Sequence, residues 1–156
     1  MATEIRSRRS TARTAALAVG VAFLLVGVLG FVPGITAGYG DLHFAGHESG
    51  ARLFGVFTVS VLHNLVHLLF GVLGVLAARS NGGSRAFLMI GGGVYVLLFV
   101  FGLAMNHDSP ANFIPVDNAD DWLHLGLGVA MIALGVATTA IDRRRGEYPE
   151  PEIQGH

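Results

Sequence analysis

Long apolar stretches separated by short polar ones dominate the chain. Residues 15–32, 86–105 and 122–140 contain no Asp, Glu, Lys or Arg, and they are 18, 20 and 19 residues long. A helix of about 20 apolar residues crosses the hydrocarbon core of a bilayer, which is ~30 Å thick. The pattern therefore predicts three membrane-crossing helices.

A fourth apolar stretch, at residues 53–78, carries polar side chains within it. They are Thr58, Ser60, His63, Asn64 and His67. Polar groups are costly against lipid, so this helix is expected to turn them into a bundle. The four stretches predict an all-α fold, an integral membrane four-helix bundle with helices at about 14–33, 50–78, 85–106 and 119–141.

The connections arrange these helices as two antiparallel hairpins. The inner turn, residues 80–84, is short, so the helices on either side of it are neighbours. Pro110 and Pro115 prevent either flanking helix from continuing through the second outer loop. We predict a basic N-terminus at 1–12, a four-helix transmembrane domain at 13–142 and a disordered tail at 143–156.

A weak internal repeat links the hairpins. Residues 64–72 align without gaps with residues 121–129, matching His, Leu, Gly and Val. The two segments run in the same direction, so a true repeat would be a parallel one about an axis along the membrane normal. Chance recurrence of Leu, Gly and Val in apolar helices explains the match equally well. Glycines within every span predict close helix packing.

The arginines orient the protein. Nine of the ten basic residues fall on one side of the predicted spans and only Arg52 on the other; the nine are Arg6, Arg8, Arg9, Arg13, Arg79, Arg85, Arg143, Arg144 and Arg145. The positive-inside rule makes their side cytoplasmic, which predicts a multi-pass protein of the cell membrane with both termini in the cytoplasm. Dispersed flanking arginines argue against a nucleic-acid partner. The expected partner is the lipid bilayer, with a second copy of the chain or another membrane protein left open.

Histidines carry the candidate chemistry. Six of the seven lie on the predicted outer side, and His63 and His67 share a helix face one turn apart. At ~1.5 Å per residue from Arg79, His67 lies ~18 Å and His63 ~24 Å above the inner boundary. His124 and His107 fall at a similar height.

Three interpretations of this cluster stay open. With no cysteine in the chain, a metal site must use imidazole and oxygen, and Zn²⁺ or Cu²⁺ suits the candidate set His63, His67, His124, His107, Asp120 and Asp121. One histidine from each of the second and fourth spans could instead bind opposite faces of a haem. The third interpretation needs no cofactor: the histidines belong to a buried polar network that fixes helix register.

Four strings in the chain resemble those of a known family. They occupy residues 53–57, 63–71, 113–115 and 121–128, and His-Asn-x-x-His and Trp-Leu-His are the most specific parts. The family consists of small four-span bacterial membrane proteins, common in actinobacteria, and is catalogued only as a domain of unknown function. The resemblance implies the four-helix topology across residues 13–141 and no activity.

Two classes of function remain. The first is a non-enzymatic membrane component with a polar His/Asp cluster in the outer half of the bundle. The second is a metal- or haem-binding membrane protein engaged in electron transfer or metal handling. No nucleophile, base and orienting group can be assembled from the sequence, so an enzyme is not expected.

Overall fold

Four helices form the body of the molecule, as the sequence predicts. The computed structural model describes residues 10–145, and its helices are α1 (Thr11–Leu29), α2 (Val61–Ala77), α3 (Asn81–Ala104) and α4 (Asn118–Arg144). Helices α1 and α3 each contact all three of the other helices. The fold class is confirmed. The predictions for residues 1–9 and 146–156 lie outside the described residues, and α4 continues two residues beyond the predicted end of the domain at 142.

Side-chain caps determine where the helices begin. Ser10, Ser60 and Ser80 each accept a hydrogen bond from the backbone N–H three residues later. Asp117 caps α4 in a capping box with Asp120. Asn118, the residue after this cap, is the first helical residue.

The second span is shorter than predicted. Residues 53–60 are not helical; they belong to a small antiparallel sheet of β1 (Thr36–Ala37), β2 (Arg52–Leu53) and β3 (Phe57–Thr58). Phe54 and Gly55 have φ angles of 53° and 70°, which a helix does not allow. The apolar run that suggested a helix is therefore a hairpin. Ser60, which the sequence placed within the second span, caps α2 at the end that the arginine distribution predicts to face outward, and we call this end of the bundle the outer end.

Three helices are long and apolar enough to cross a membrane, namely α1, α3 and α4. Helix α2 is apolar but has only 17 residues. The sheet covers the outer end of α1, where the buried side chains of Leu53 and Val59 pack against Val26 and Leu29.

The helices of each hairpin cross at glycines. A Cβ atom on Gly20 of α1 would lie 3.0 Å from the carbonyl oxygen of Gly71 in α2, and one on Gly92 of α3 would lie 2.8 Å from that of Gly128 in α4. No larger residue fits such an approach without movement of the backbone. The predicted packing role of these glycines is confirmed.

Equivalent contacts recur in both hairpins. Asn64 packs on Gly30 as Asp121 packs on Gly102. Phe23 contacts His67 as Tyr95 contacts His124, with ring centroids 5.8 and 5.3 Å apart. In all these pairs, the residue of the second hairpin follows its equivalent in the first by a constant number of positions. One such number applies to α1 and α3, and another applies to α2 and α4. The packing therefore favours a parallel repeat over chance recurrence.

The centre of the bundle lies where the repeats meet. The rings of Phe23 and Tyr95, which are equivalent residues, stack with centroids 5.3 Å apart and an interplanar angle of 26°. Met131 packs beside them, and all three side chains are buried. An axis relating the hairpins would pass through this pair.

Candidate functional site

The three histidines of α2 and α4 are buried together at the outer end of the bundle. His63, His67 and His124 are 5%, 7% and 5% exposed. The interior position predicted for the polar side chains of the second span is thus confirmed for His63 and His67, and His124 shares it. All three line one cavity of about 250 Å³, which Tyr95 also lines. No signal in the sequence indicated Tyr95.

Backbone carbonyls fix the tautomers of two of these rings. The Nδ1 atom of His63 lies 2.9 Å from the carbonyl oxygen of Pro115, and that of His67 lies 3.1 Å from the carbonyl oxygen of His63. A carbonyl only accepts, so each Nδ1 carries a hydrogen and donates it. In the neutral ring, Nε2 is then left as an acceptor. The two rings stack with centroids 4.7 Å apart.

His124 has no such restraint. Its ring contacts that of Tyr95 edge to face, and its buried Nδ1 atom has no hydrogen-bond partner among residues 10–145. Buried polar atoms usually bond to protein or to an ordered water, so this nitrogen is available to a water or to a ligand. The sequence placed His124 in the cluster but gave no indication that it would be unpaired.

The acidic residues form a separate group at the start of α4. The Asp120 carboxylate accepts a hydrogen bond from the Asp117 amide, at 3.0 Å. Asp117 accepts from the hydroxyl and amide of Thr58 in β3, at 2.8 and 3.2 Å. Asp121 lies 3.0 Å from Nε2 of His107. The carboxylates therefore bind backbone, Thr58 and His107. None of them lines the 250 Å³ cavity, but Asp120 lines a second cavity, of about 210 Å³, together with His63 and His67.

Opposing effects act on the Asp117 carboxyl, which lies outside the spans. Partial burial raises its pKa, but hydrogen bonds from the Thr58 hydroxyl and from the amides of Asp120, Ala119 and Thr58 outweigh that effect and leave the pKa below its ordinary value. Asp117 is thus a carboxylate at neutral pH, and it ties β3 to the first turn of α4.

A buried asparagine holds the loop that carries Pro115. The Asn112 amide nitrogen donates to the carbonyl oxygens of His107 and Val116, and its side-chain oxygen accepts from the Val116 amide. These three bonds fold residues 107–116 back over α2, where the Pro115 carbonyl meets His63. Sequence reasoning missed Asn112, because an asparagine between prolines is typical of any exposed turn.

The six predicted metal ligands are only partly brought together. His63, His67 and His124 share a cavity, His107 pairs with Asp121, and Asp120 joins Asp117. Among residues 10–145 no three His, Asp or Glu side chains are arranged to hold one metal ion. Arg52, the one arginine on the other side of the predicted spans, takes part in neither ion pair of the described residues.

The chain matches one family model over most of its length. The model is described as Domain of unknown function (DUF4383), and it matches residues 13–137. The match begins at the third residue of α1, includes all of α2 and α3, and ends near the last turns of α4. Comparisons with curated proteins and with solved structures find no match.

Proposed function

The chain belongs to this family of unknown function, and we propose that it is a non-enzymatic, multi-pass component of the cell membrane with both termini in the cytoplasm. In this proposal the outer polar cluster, defined as Thr58, His63, His107, Asp117, Asp120 and Asp121, fixes the outer end of the bundle. The histidines and carboxylates serve the fold and the contact with a membrane partner, either a second copy of the chain or another protein.

One observation carries the proposal: each outer loop bonds to the opposite hairpin. Thr58, from the loop before α2, donates to Asp117 of the second hairpin. Pro115, from the loop before α4, accepts from His63 of the first. Hydrogen bonds exchanged in both directions fix the register of the hairpins, which hydrophobic burial in lipid cannot do.

The cavity wall supports a role other than catalysis. Within the described residues it contains imidazoles and one phenol but no serine, threonine or carboxylate. Several of the serines are used as helix caps or bond to backbone carbonyls. A nucleophile oriented by a base, which hydrolytic chemistry requires, is not present there.

Topology is the first testable part. The chain has no cysteine, so single cysteines can report the side of the membrane. We expect Glu48→Cys, in the first outer loop, to react with a membrane-impermeant maleimide in intact cells. Gly82→Cys, exposed near the inner turn, should react only after permeabilisation. Labelling of Gly82→Cys in intact cells would overturn the proposed orientation.

Metal handling is the second candidate function. It is favoured by the Nδ1 atoms of His63 and His67, since histidines that ligate a metal commonly donate their other N–H to a carbonyl. Purified protein should then carry stoichiometric Zn²⁺ or Cu²⁺, and His67→Leu should abolish it. Under the structural proposal, His67→Leu keeps the fold with a loss of about 1 kcal/mol, because one hydrogen bond is removed. A cavity of about 250 Å³ is below the size of drug-sized ligand pockets and gives haem little support.

A further inference from the structure

The histidine cavity opens at the protein surface through an apolar rim. It lies between α2 and α3 beneath the loop that carries Pro115, and its volume is about 250 Å³. Phe101 and Phe113 in its wall are 50% and 58% exposed. In a protein whose helices cross a membrane, such an apolar rim faces acyl chains. A molecule dissolved in the bilayer therefore has access to the cavity without passing through water.

The size and wall of the cavity indicate a single ring. A cavity of about 150 Å³ accommodates benzene, so 250 Å³ accommodates one ring with a small substituent. Four of the lining side chains are aromatic: Phe70, Tyr95, Phe101 and Phe113. Rings packed edge to face or offset against one another gain more than their burial alone provides.

The imidazole nitrogens of the cavity wall can accept a hydrogen bond from a ligand. Nδ1 of His63 and of His67 is committed to a carbonyl, which leaves Nε2 of each neutral ring as an acceptor. His124 is 5% exposed, and its Nδ1 atom has no hydrogen-bond partner among the described residues. A buried ring nitrogen without a partner is costly in either tautomer of His124, and a hydroxyl group in the cavity can both donate and accept a hydrogen bond.

We propose that this cavity binds a small aromatic alcohol from the bilayer, whose ring lies among the phenylalanines and whose hydroxyl donates to an imidazole. The proposal goes beyond the structural role of the outer polar cluster and does not depend on it. A second cavity, of about 210 Å³, is lined by Val26 of α1, by His63 and His67 of α2 and by Asp120 of α4. It thus shares two histidines with the first cavity, whereas His124 lines only the first.

Two probes of nearly equal size test for recognition of the hydroxyl. Fluorine NMR of the protein in nanodiscs compares 4-fluorophenol with 4-fluorotoluene, with empty nanodiscs as the reference for partition into lipid. We expect the phenol to bind the protein at least fivefold more tightly than the toluene. His124→Phe keeps a ring against Tyr95 but removes the nitrogens, and it should reduce that preference at least threefold. Equal binding of the two probes by the wild type would overturn the proposal.

Filling the cavity tests its location. Val94 lines the cavity, whereas Val100 of the same helix is 54% exposed and does not. Val94→Phe should weaken 4-fluorophenol binding at least tenfold, while the matched control Val100→Phe should change it less than twofold. Val66→Phe repeats the test from α2 in case Val94→Phe does not fold. Wild-type affinity in a folded cavity-filling variant would show that the phenol binds elsewhere and would refute the site.

Discussion

At the scale of single residues, Asp117 connects β3 to the start of α4 at the outer end. It caps α4 and accepts two hydrogen bonds from Thr58. Because these bonds lower its pKa in the folded state, they stabilise the fold above the unfolded pKa of ~3.9. That contribution is lost as the pH falls through the lower, folded pKa.

Replacement of Asp117 should therefore show a dependence on pH. We expect Asp117→Asn to lower the midpoint of thermal unfolding in detergent at pH 7, and the difference from the wild type to shrink between about pH 5 and pH 2. Asp108→Asn is the matched control, since Asp108 is an exposed carboxylate of the same loop whose side chain makes no hydrogen bond to a described residue. A difference for Asp117→Asn that stays constant with pH would contradict the assignment.

The sequence predicts contacts within one helix better than contacts between the two hairpins. His63 and His67 were predicted to face the interior because helical spacing places them on one face of α2. Thr58 and Pro115 were not assigned a bond, because their partners come from the other hairpin. Asp142 received no role from the sequence, yet it is 0% exposed and bonds to the start of α1. Contacts between distant segments are not encoded in local spacing.

At the scale of helices, some glycines lie in close contact with a neighbouring helix and others have open space around them. Gly92 faces the Gly128 carbonyl, whereas a Cβ atom on its neighbour Gly93 would have nothing within 4 Å. Gly92→Ala should separate α3 from α4 and destabilise the protein by about 2 kcal/mol, a typical cost of overpacking. Gly93→Ala should be neutral or stabilising by up to about 1 kcal/mol, because alanine is the better helix former.

Thermal unfolding of the two alanine variants in the same detergent checks this contrast. Both substitutions add one methyl group to adjacent residues of α3, so a difference between them reports the helix crossing. If Gly92→Ala unfolds at the wild-type temperature, the close approach of α3 and α4 is not present in the protein.

The start of α2 shows where helix prediction fails at this scale. Apolar periodicity cannot separate a buried strand from a helix over about five to eight residues. Residues 53–59 are rich in Phe, Val and Thr, which favour strands, and Gly55 permits the turn between β2 and β3. The other three helices were predicted within a few residues, because their apolar runs are longer than any strand.

At the scale of the whole molecule, one carboxylate joins three helices at the end of the bundle opposite the histidines, which we call the inner end. Asp142 of α4 accepts from the amides of Thr11 and Ala12 at the start of α1, and it pairs with Arg85 of α3 at 3.1 Å. Three helices are thus joined through a residue with no exposed surface. The carboxylate also lies at the positive end of α1, where a negative charge is favourable.

Removal of this carboxylate should be costly, and a second change should restore part of the loss. Asp142→Leu is expected to destabilise the protein by about 3–5 kcal/mol, because it removes the carboxylate that accepts from the amides of Thr11 and Ala12 and pairs with the largely buried Arg85. The double variant Arg85→Leu with Asp142→Leu should be more stable than Asp142→Leu alone. The free energy of unfolding of the wild type, of both single variants and of the double variant gives the interaction energy between Arg85 and Asp142. If the losses of the two single variants add fully in the double variant, the buried pair is contradicted.

The exchange of loops between the hairpins has a consequence for biogenesis. His63 and the carbonyl that accepts its hydrogen bond are 52 residues apart in the chain. Synthesis proceeds from the N-terminus, so the first hairpin is made before Pro115 exists, and Asp117 follows Thr58 by 59 residues. The nascent first hairpin therefore enters the lipid with a polar face whose partners have not yet been translated. Its native outer end can form only once the second hairpin has left the ribosome, which makes completion of the fold a late, post-translational step.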